Sequence, residues 1–213
     1  MMNLRSQTPK GQRARAAILS AAEGILVTRG FHGTSMRDIA KAARLPLASV
    51  VYHFARKEKL YGAILTDIGD ELSRGLASAT TAEDFVRVLV RWSIVTPHRV
   101  VLLLRELLDN PARLARASQF PLAAFMLRAA ELLREGGAPH PELGVLQLTG
   151  AVSYIVASRP TVERILGPAR AKALTLAYEA EMVAFARRAL GLAAPVATPM
   201  PRKPRRAAKA PAS

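Results

Sequence analysis

The sequence predicts an all-α fold, on three observations. Apolar residues return every three to four positions along most of the chain. No stretch alternates at period two, so no sheet is expected. Glycine and proline fall between the periodic stretches, where they close one helix and open the next. The chain has 213 residues, half of them hydrophobic, enough to bury a core without cross-links. It has no cysteine, which excludes disulfides, thiolate metal sites and a cysteine nucleophile.

The elements follow in order. From Gly11 to Arg29 a stripe of Ala17, Ile18, Ala21, Ala22, Ile25 and Leu26 marks the first helix, with Gly30 as its stop. Thr34 and Ser35 open a second, short helix, and Ser35 with Asp38 three residues on resembles a capping box. Met36, Ile39, Ala40 and Ala43 form its inward face. A tight connection through Arg44 and Leu45 leads to Pro46, which suits the first turn of a third short helix with Val50 and Phe54 facing inward. A longer helix over 57–75 carries Leu60, Ile64, Ile68 and Leu72 on one face. Further helices are predicted near 81–96, 98–108, 113–135, 141–158 and 170–190, with Pro121 kinking or dividing the third of these and Pro160 following the fourth.

Charge divides the chain differently. Residues 1–60 hold eleven Lys and Arg against three Asp and Glu, a net +8 of the chain's +15. Residues 61–193 are nearly balanced at +2, and residues 194–213 carry +5 with no acid. The basic excess at the two ends points to a polyanion. The expected organisation is therefore a three-helix unit over 1–60, a helical body over 61–193, and a disordered basic tail, rich in Pro and Ala, over 194–213.

No basic start is followed by an apolar run, and the longest uncharged stretch, Leu143 to Ser158, has 16 residues and several polar ones. A membrane span needs about 20 apolar residues, so the expectation is a cytoplasmic, nucleoid-associated protein with no membrane partner. There is no phosphate-cradling glycine loop, no nucleophile elbow and no zinc-binding helix motif. His32, His53, His98 and His140 form no ligand spacing. No enzyme activity, cofactor or metal is expected.

Two short helices joined by a tight turn, with a preceding helix to cover their apolar side, have the layout of a helix-turn-helix. The run Gly30-Phe31-His32-Gly33-Thr34-Ser35-Met36-Arg37-Asp38-Ile39-Ala40 resembles the N-terminal signature of the TetR family of bacterial repressors. So does Val50-Val51-Tyr52-His53-Phe54 followed by Lys57-Glu58-Lys59-Leu60. The resemblance covers about residues 12–61; beyond it only the all-helical pattern is similar.

The resemblance implies a homodimer that binds double-stranded DNA at a palindromic operator and is released by a small-molecule effector. The start of helix 2 favours a phosphate, and the Thr34 and Ser35 hydroxyls add donors. Arg37 is placed to reach a base edge. Helix 3 is placed in the major groove, with Leu47, Ala48, Ser49, Val51, Tyr52 and His53 as candidate contacts and Lys57 pairing with the backbone. The sequence departs from the family where Gly is common at 44, Ser at 46, Lys or Gln at 47, Gly at 48 and Tyr at 51. Leu47 and Val51 offer only apolar contact, and Arg44 either occupies a strained turn conformation or avoids positive φ.

The body supports a dimer on its own evidence. The helix at 141–158 is apolar nearly all round, and the last helix has a broad alanine-rich apolar surface, so the two suit a four-helix interface with their twofold mates. An effector pocket is expected between the helices at 81–135, lined by Phe85, Trp92, Leu103, Leu104, Phe120, Phe125 and Met126, with an Arg to meet a ligand carboxylate. The plainer alternative makes those side chains ordinary core. The rival function is an architectural DNA-binding protein with no small effector.

Overall fold

The computed structural model describes residues 8–109 and 122–192. Its elements are α1 (Pro9–Arg29), α2 (Met36–Ala42), α3 (Leu47–His53), α4 (Lys57–Leu76), α5 (Ala82–Val95), α6 (Pro97–Asp109), α7 (Ala123–Glu135), α8 (Pro141–Leu166) and α9 (Pro168–Ala189). No strand occurs among the described residues. The expected break at Pro121, the candidate Phe120 and the tail over 194–213 lie outside them.

Local chemistry fixes the ends. Thr8 accepts the Gly11 amide at 3.2 Å and Pro9 occupies the first turn, so α1 starts two residues before the glycine at which the sequence reading began it. Gly30, at φ 69°, stops α1 and returns its own amide to Leu26 O. Two complete capping boxes open α2 and α5. Ser35 Oγ accepts the Asp38 amide at 3.2 Å while Asp38 Oδ2 accepts the Ser35 amide at 2.9 Å, and Thr81 and Asp84 repeat the exchange at 3.1 and 3.0 Å.

The first three helices and α4 close over Ile18, Leu26, Ile39, Val50, Leu60 and Ile64, none more than 2% exposed. This core continues without interruption into the body, through Ile68, Phe85, Val86, Leu132, Leu133 and Leu148. Two helices join the parts: α4 packs on α5 and α7, and α1 rests on α6 as well as on α2. On the far side α9 lies along α5 and α8. There Arg91 donates to both oxygens of Glu179 at 2.7 Å, Arg187 pairs with Glu83, and the Tyr178 hydroxyl donates to Ala151 O at 3.0 Å.

Pro160 does not end its helix. α8 runs on through it to Leu166. Proline removes one amide from the ladder, the one that would bond the carbonyl of Val156, and the helix carries on past that single lost bond.

Candidate nucleic-acid interface

α3 has one face in the core and one in solvent. Val50 is fully buried, whereas Leu47, Val51 and Tyr52 are 37–45% exposed and Ala48 is exposed beside them. Positions 47, 48, 51 and 52 fall together because one helical turn separates each pair. The outward surface of this helix is thus largely apolar with one phenol. Ser49 is half-buried at its flank. His53 meets the Tyr52 ring edge-on at 5.3 Å, and its Nδ1 is shut away from solvent with no hydrogen-bond partner among the described residues, leaving Nε2 for any outside partner.

α2 presents Arg37 and Lys41 outward, opposite buried Ile39 and Ala40. Ser35 at its start is exposed, with its hydroxyl 2.6 Å from Asp38 Oδ2. That hydroxyl and the Ser35 amide hold the Asp38 carboxyl below the ordinary aspartate value, aided by Arg29. The turn to α3 places Arg44 at φ 54°, a left-handed conformation that glycine adopts without strain. Its exposed guanidinium extends the basic face of Arg37 and Lys41. Glycine is obligatory one turn earlier: a Cβ on Gly33 would stand 2.4 Å from the Arg29 carbonyl oxygen.

Two candidates have partners inside the protein. Thr34 is 2% exposed and its hydroxyl donates to Gly30 O at 2.7 Å, so it secures the turn and is not turned outward as a donor. Lys57 Nζ donates to Phe31 O at 2.6 Å and Thr34 O at 2.7 Å and lies 4.2 Å from the centre of the Phe31 ring. This ammonium ties the start of α4 to the α1–α2 turn, a structural use where the sequence reading assigned a phosphate contact. Phe31 in turn meets Tyr61 edge-on at 5.3 Å.

A second cluster, with no counterpart among the sequence expectations, joins α1, α4 and α6. Arg99 on α6 donates to both carboxylate oxygens of Glu23 on α1, to Asp67 at 2.9 Å and to Glu71 at 2.6 Å on α4. Burial works against the guanidinium's charge, but the carboxylates, Glu23 first, hold its pKa above the ordinary value. His98 Nε2 stands 3.3 Å from the same Glu23. Arg105, six residues beyond Arg99 on α6, places Nη1 3.3 Å from where a Cβ on Gly30 would stand. No spacing in the sequence signals such a cluster, because Arg99 lies 28 to 76 positions from its carboxylate partners.

The body contains a cavity of about 300 Å³ between α4, α5, α6, α7 and α8. Trp92, Leu103, Phe125 and Met126 line it as expected. Phe85 does not: it is fully buried behind the wall, edge-on to Phe125 at 6.0 Å. Leu104 points away from the cavity, because it follows Leu103 by a 100° helical step. No Arg is found among the described lining residues. The charged group there is Glu106, 2% exposed.

A short helix pair with an outward α3, carried on a larger helical body, defines the class: a helix-turn-helix protein. Residues 18–64 match the family described as bacterial regulatory proteins, tetR family. Over those residues the chain is similar to that family's N-terminal unit. It is 36% identical over 126 residues to the HTH-type transcriptional repressor Rv3405c of Mycobacterium tuberculosis, covering 59% of this chain and 63% of that protein. It is 42% identical over 66 residues to the HTH-type transcriptional regulator RutR of Escherichia coli, 28% of this chain and 31% of that one. The match thus spans less than two thirds of these relatives. Among solved structures, a tetR-family regulatory protein from Rhodococcus RHA1 aligns over 85% of this chain and 99% of its own, with a TM-score of 0.63 at 21% identity. GusR of Salmonella enterica aligns over 87% and 99%, with a TM-score of 0.63 at 17% identity. At these identities the likeness is one of fold.

Proposed function

We propose that the protein is a homodimeric transcriptional repressor that reads duplex DNA with α2 and α3 and is released by a small apolar ligand bound in its body. The observation that carries the reading is the outward face of Leu47, Ala48, Val51 and Tyr52 beside exposed Arg37, on a unit bearing net +8. The basic groups supply phosphate attraction, Arg37 supplies hydrogen bonds to a base, and the apolar α3 side chains suit thymine methyls. Residues 1–60 form the reading head, residues 61–193 the dimerising and ligand-binding body, and the basic segment 194–213 adds charge.

The dimer reading is supported by α8 and α9. Together they expose Leu143, Leu146, Tyr154, Ile165, Leu174 and Leu176, large apolar side chains that a partner helix pair would cover. A twofold contact there pairs two heads and implies half-sites about one DNA turn apart. Release follows if the ligand-bound body favours a different tilt of α4, since a ligand shifts an equilibrium only by its differential affinity.

Selection of duplexes from a random library by the purified protein tests this. An inverted repeat with fixed half-site spacing is expected. Sequences enriched only for A·T content, with no repeat, would favour the architectural reading.

A further inference from the structure

The outward surface of α3 has little with which to hydrogen-bond. Leu47, Ala48, Val51 and Tyr52 are its exposed side chains, and only the Tyr52 hydroxyl among them is polar. Ser49 and His53 stand half-buried at the flanks. Leu47 and Val51 lie one helical turn apart and form a ridge, at 37% and 44% exposure. Val51 is β-branched, so the helix holds its two methyls largely in one rotamer. Ala48 beside them is short, so the ridge stands clear of the helix surface.

Exposed cations frame this ridge. Arg37 and Lys41 on α2 and Arg44 in the turn all face solvent, and α2 packs directly on α3. The major groove of a duplex matches both features. Its walls are phosphates, and its floor offers one distinct apolar group, the 5-methyl of thymine. The other base-edge groups there are chiefly hydrogen-bond donors and acceptors. Leu47 or Val51 set over a G·C edge would strip water from those groups and return no bond. Set over a 5-methyl, the same side chains remove apolar surface from water, which is favourable.

We infer that Leu47 and Val51 are specificity-determining residues that read the 5-methyl group of pyrimidines, so that the protein distinguishes thymine from uracil within an unchanged base-pair hydrogen-bonding pattern. This inference rests on the reading of α2 and α3 as the DNA-binding unit and names the group on DNA that α3 selects. Hydrogen-bonded readout falls to Arg37 and apolar readout to the ridge. 5-Methylcytosine carries the same methyl in the same groove, so cytosine methylation at such a position strengthens binding.

The test uses the full-length protein and a duplex that it selects from a random library. Each thymine of a half-site is replaced in turn by deoxyuridine, which removes the methyl and keeps every hydrogen-bonding group. At one or more positions affinity should fall about fourfold, the effect of burying one methyl, and about tenfold or more when both half-sites are changed. At the same position, 5-methylcytosine should bind about fourfold more tightly than cytosine. A loss with deoxyuridine but no gain with 5-methylcytosine supports the inference for thymine and removes 5-methylcytosine as a source of the methyl. In Leu47→Ala and Val51→Ala the thymine-to-uracil ratio should fall towards about 1 at the position each side chain meets, with circular dichroism confirming that each variant is folded. Unchanged affinity when deoxyuridine replaces every thymine of both half-sites overturns the inference, as does an unreduced ratio in both variants. A defined selected sequence with no discrimination of thymine from uracil leaves the DNA-reading proposal standing and ends this one, whereas failure to select any sequence ends both.

Discussion

Arg99 grips Glu23 with two parallel hydrogen bonds, Nε to Oε2 at 3.1 Å and Nη2 to Oε1 at 2.8 Å. The pair joins α6 of the body to α1 of the head, and the free edge of the same guanidinium reaches Asp67 and Glu71 on α4. Two planar groups matched in this way fix angle as well as distance. The cluster therefore ties α6 to both α1 and α4.

Removal of the arginine leaves Glu23, whose side chain is 8% exposed, charged and poorly paired. Breaking a buried pair by deleting one partner costs about 3–5 kcal/mol. Because Asp67 and Glu71 are partly solvated, Arg99→Met should cost about 3 kcal/mol, at the lower end of that range. Urea denaturation checks this, and hydrogen exchange should show α1 loosening before α8.

Lys57→Met should act on stability and leave the count of phosphate contacts alone. It leaves the Phe31 and Thr34 carbonyls without their donor, at a cost of about 1–3 kcal/mol. A phosphate-pairing lysine would instead reduce the slope of log affinity against log salt by about 1. An unchanged slope with a lowered melting temperature is expected.

Arg44→Gly should stabilise the fold. A non-glycine residue in the left-handed region costs about 1–2 kcal/mol, and glycine's greater freedom in the unfolded chain returns part of that. A gain of about 0.5–1 kcal/mol in thermal or urea unfolding is the expected outcome.

The capping carboxylates predict a loss of stability in acid. Burial raises the pKa of Asp84, but hydrogen bonds from Thr81 and Thr80 outweigh it and hold the value below the ordinary 3.8; Asp38 is lowered by Ser35. A carboxyl depressed by folding stabilises the native state above its unfolded pKa, and that contribution fades as pH falls through the lowered folded value. Melting temperatures should therefore fall below about pH 4. Asp84→Ala should lower the melting temperature at neutral pH and flatten this acid slope.

The head was legible because its signals are local. Gly30, the Ser35–Asp38 box and Pro46 each act within a few residues, and each lies at a helix boundary in the structure. Lys57 was not legible: a lysine at a helix start reads the same whether its ammonium faces out or curls back onto carbonyls. The Arg99 cluster was hidden by its sequence separation. Trp92, Leu103, Phe125 and Met126 could be placed in the cavity wall by composition and region, but the choice between Leu103 and Leu104 turns on one helical step. Pro160 misled because a proline costs a helix one hydrogen bond and does not have to end it, and this helix continues to Leu166.

The central claim, that α2 and α3 read base sequence, is tested most directly by measuring Arg37→Ala on a duplex selected by the native protein and on an unrelated duplex of equal length. A lost arginine–guanine contact should cost about 1–3 kcal/mol, or roughly 5- to 150-fold, on the selected duplex, with preference relaxed at one base position. Affinity for the unrelated duplex should change far less. Equal affinity and an unaltered preference in the variant would contradict the account.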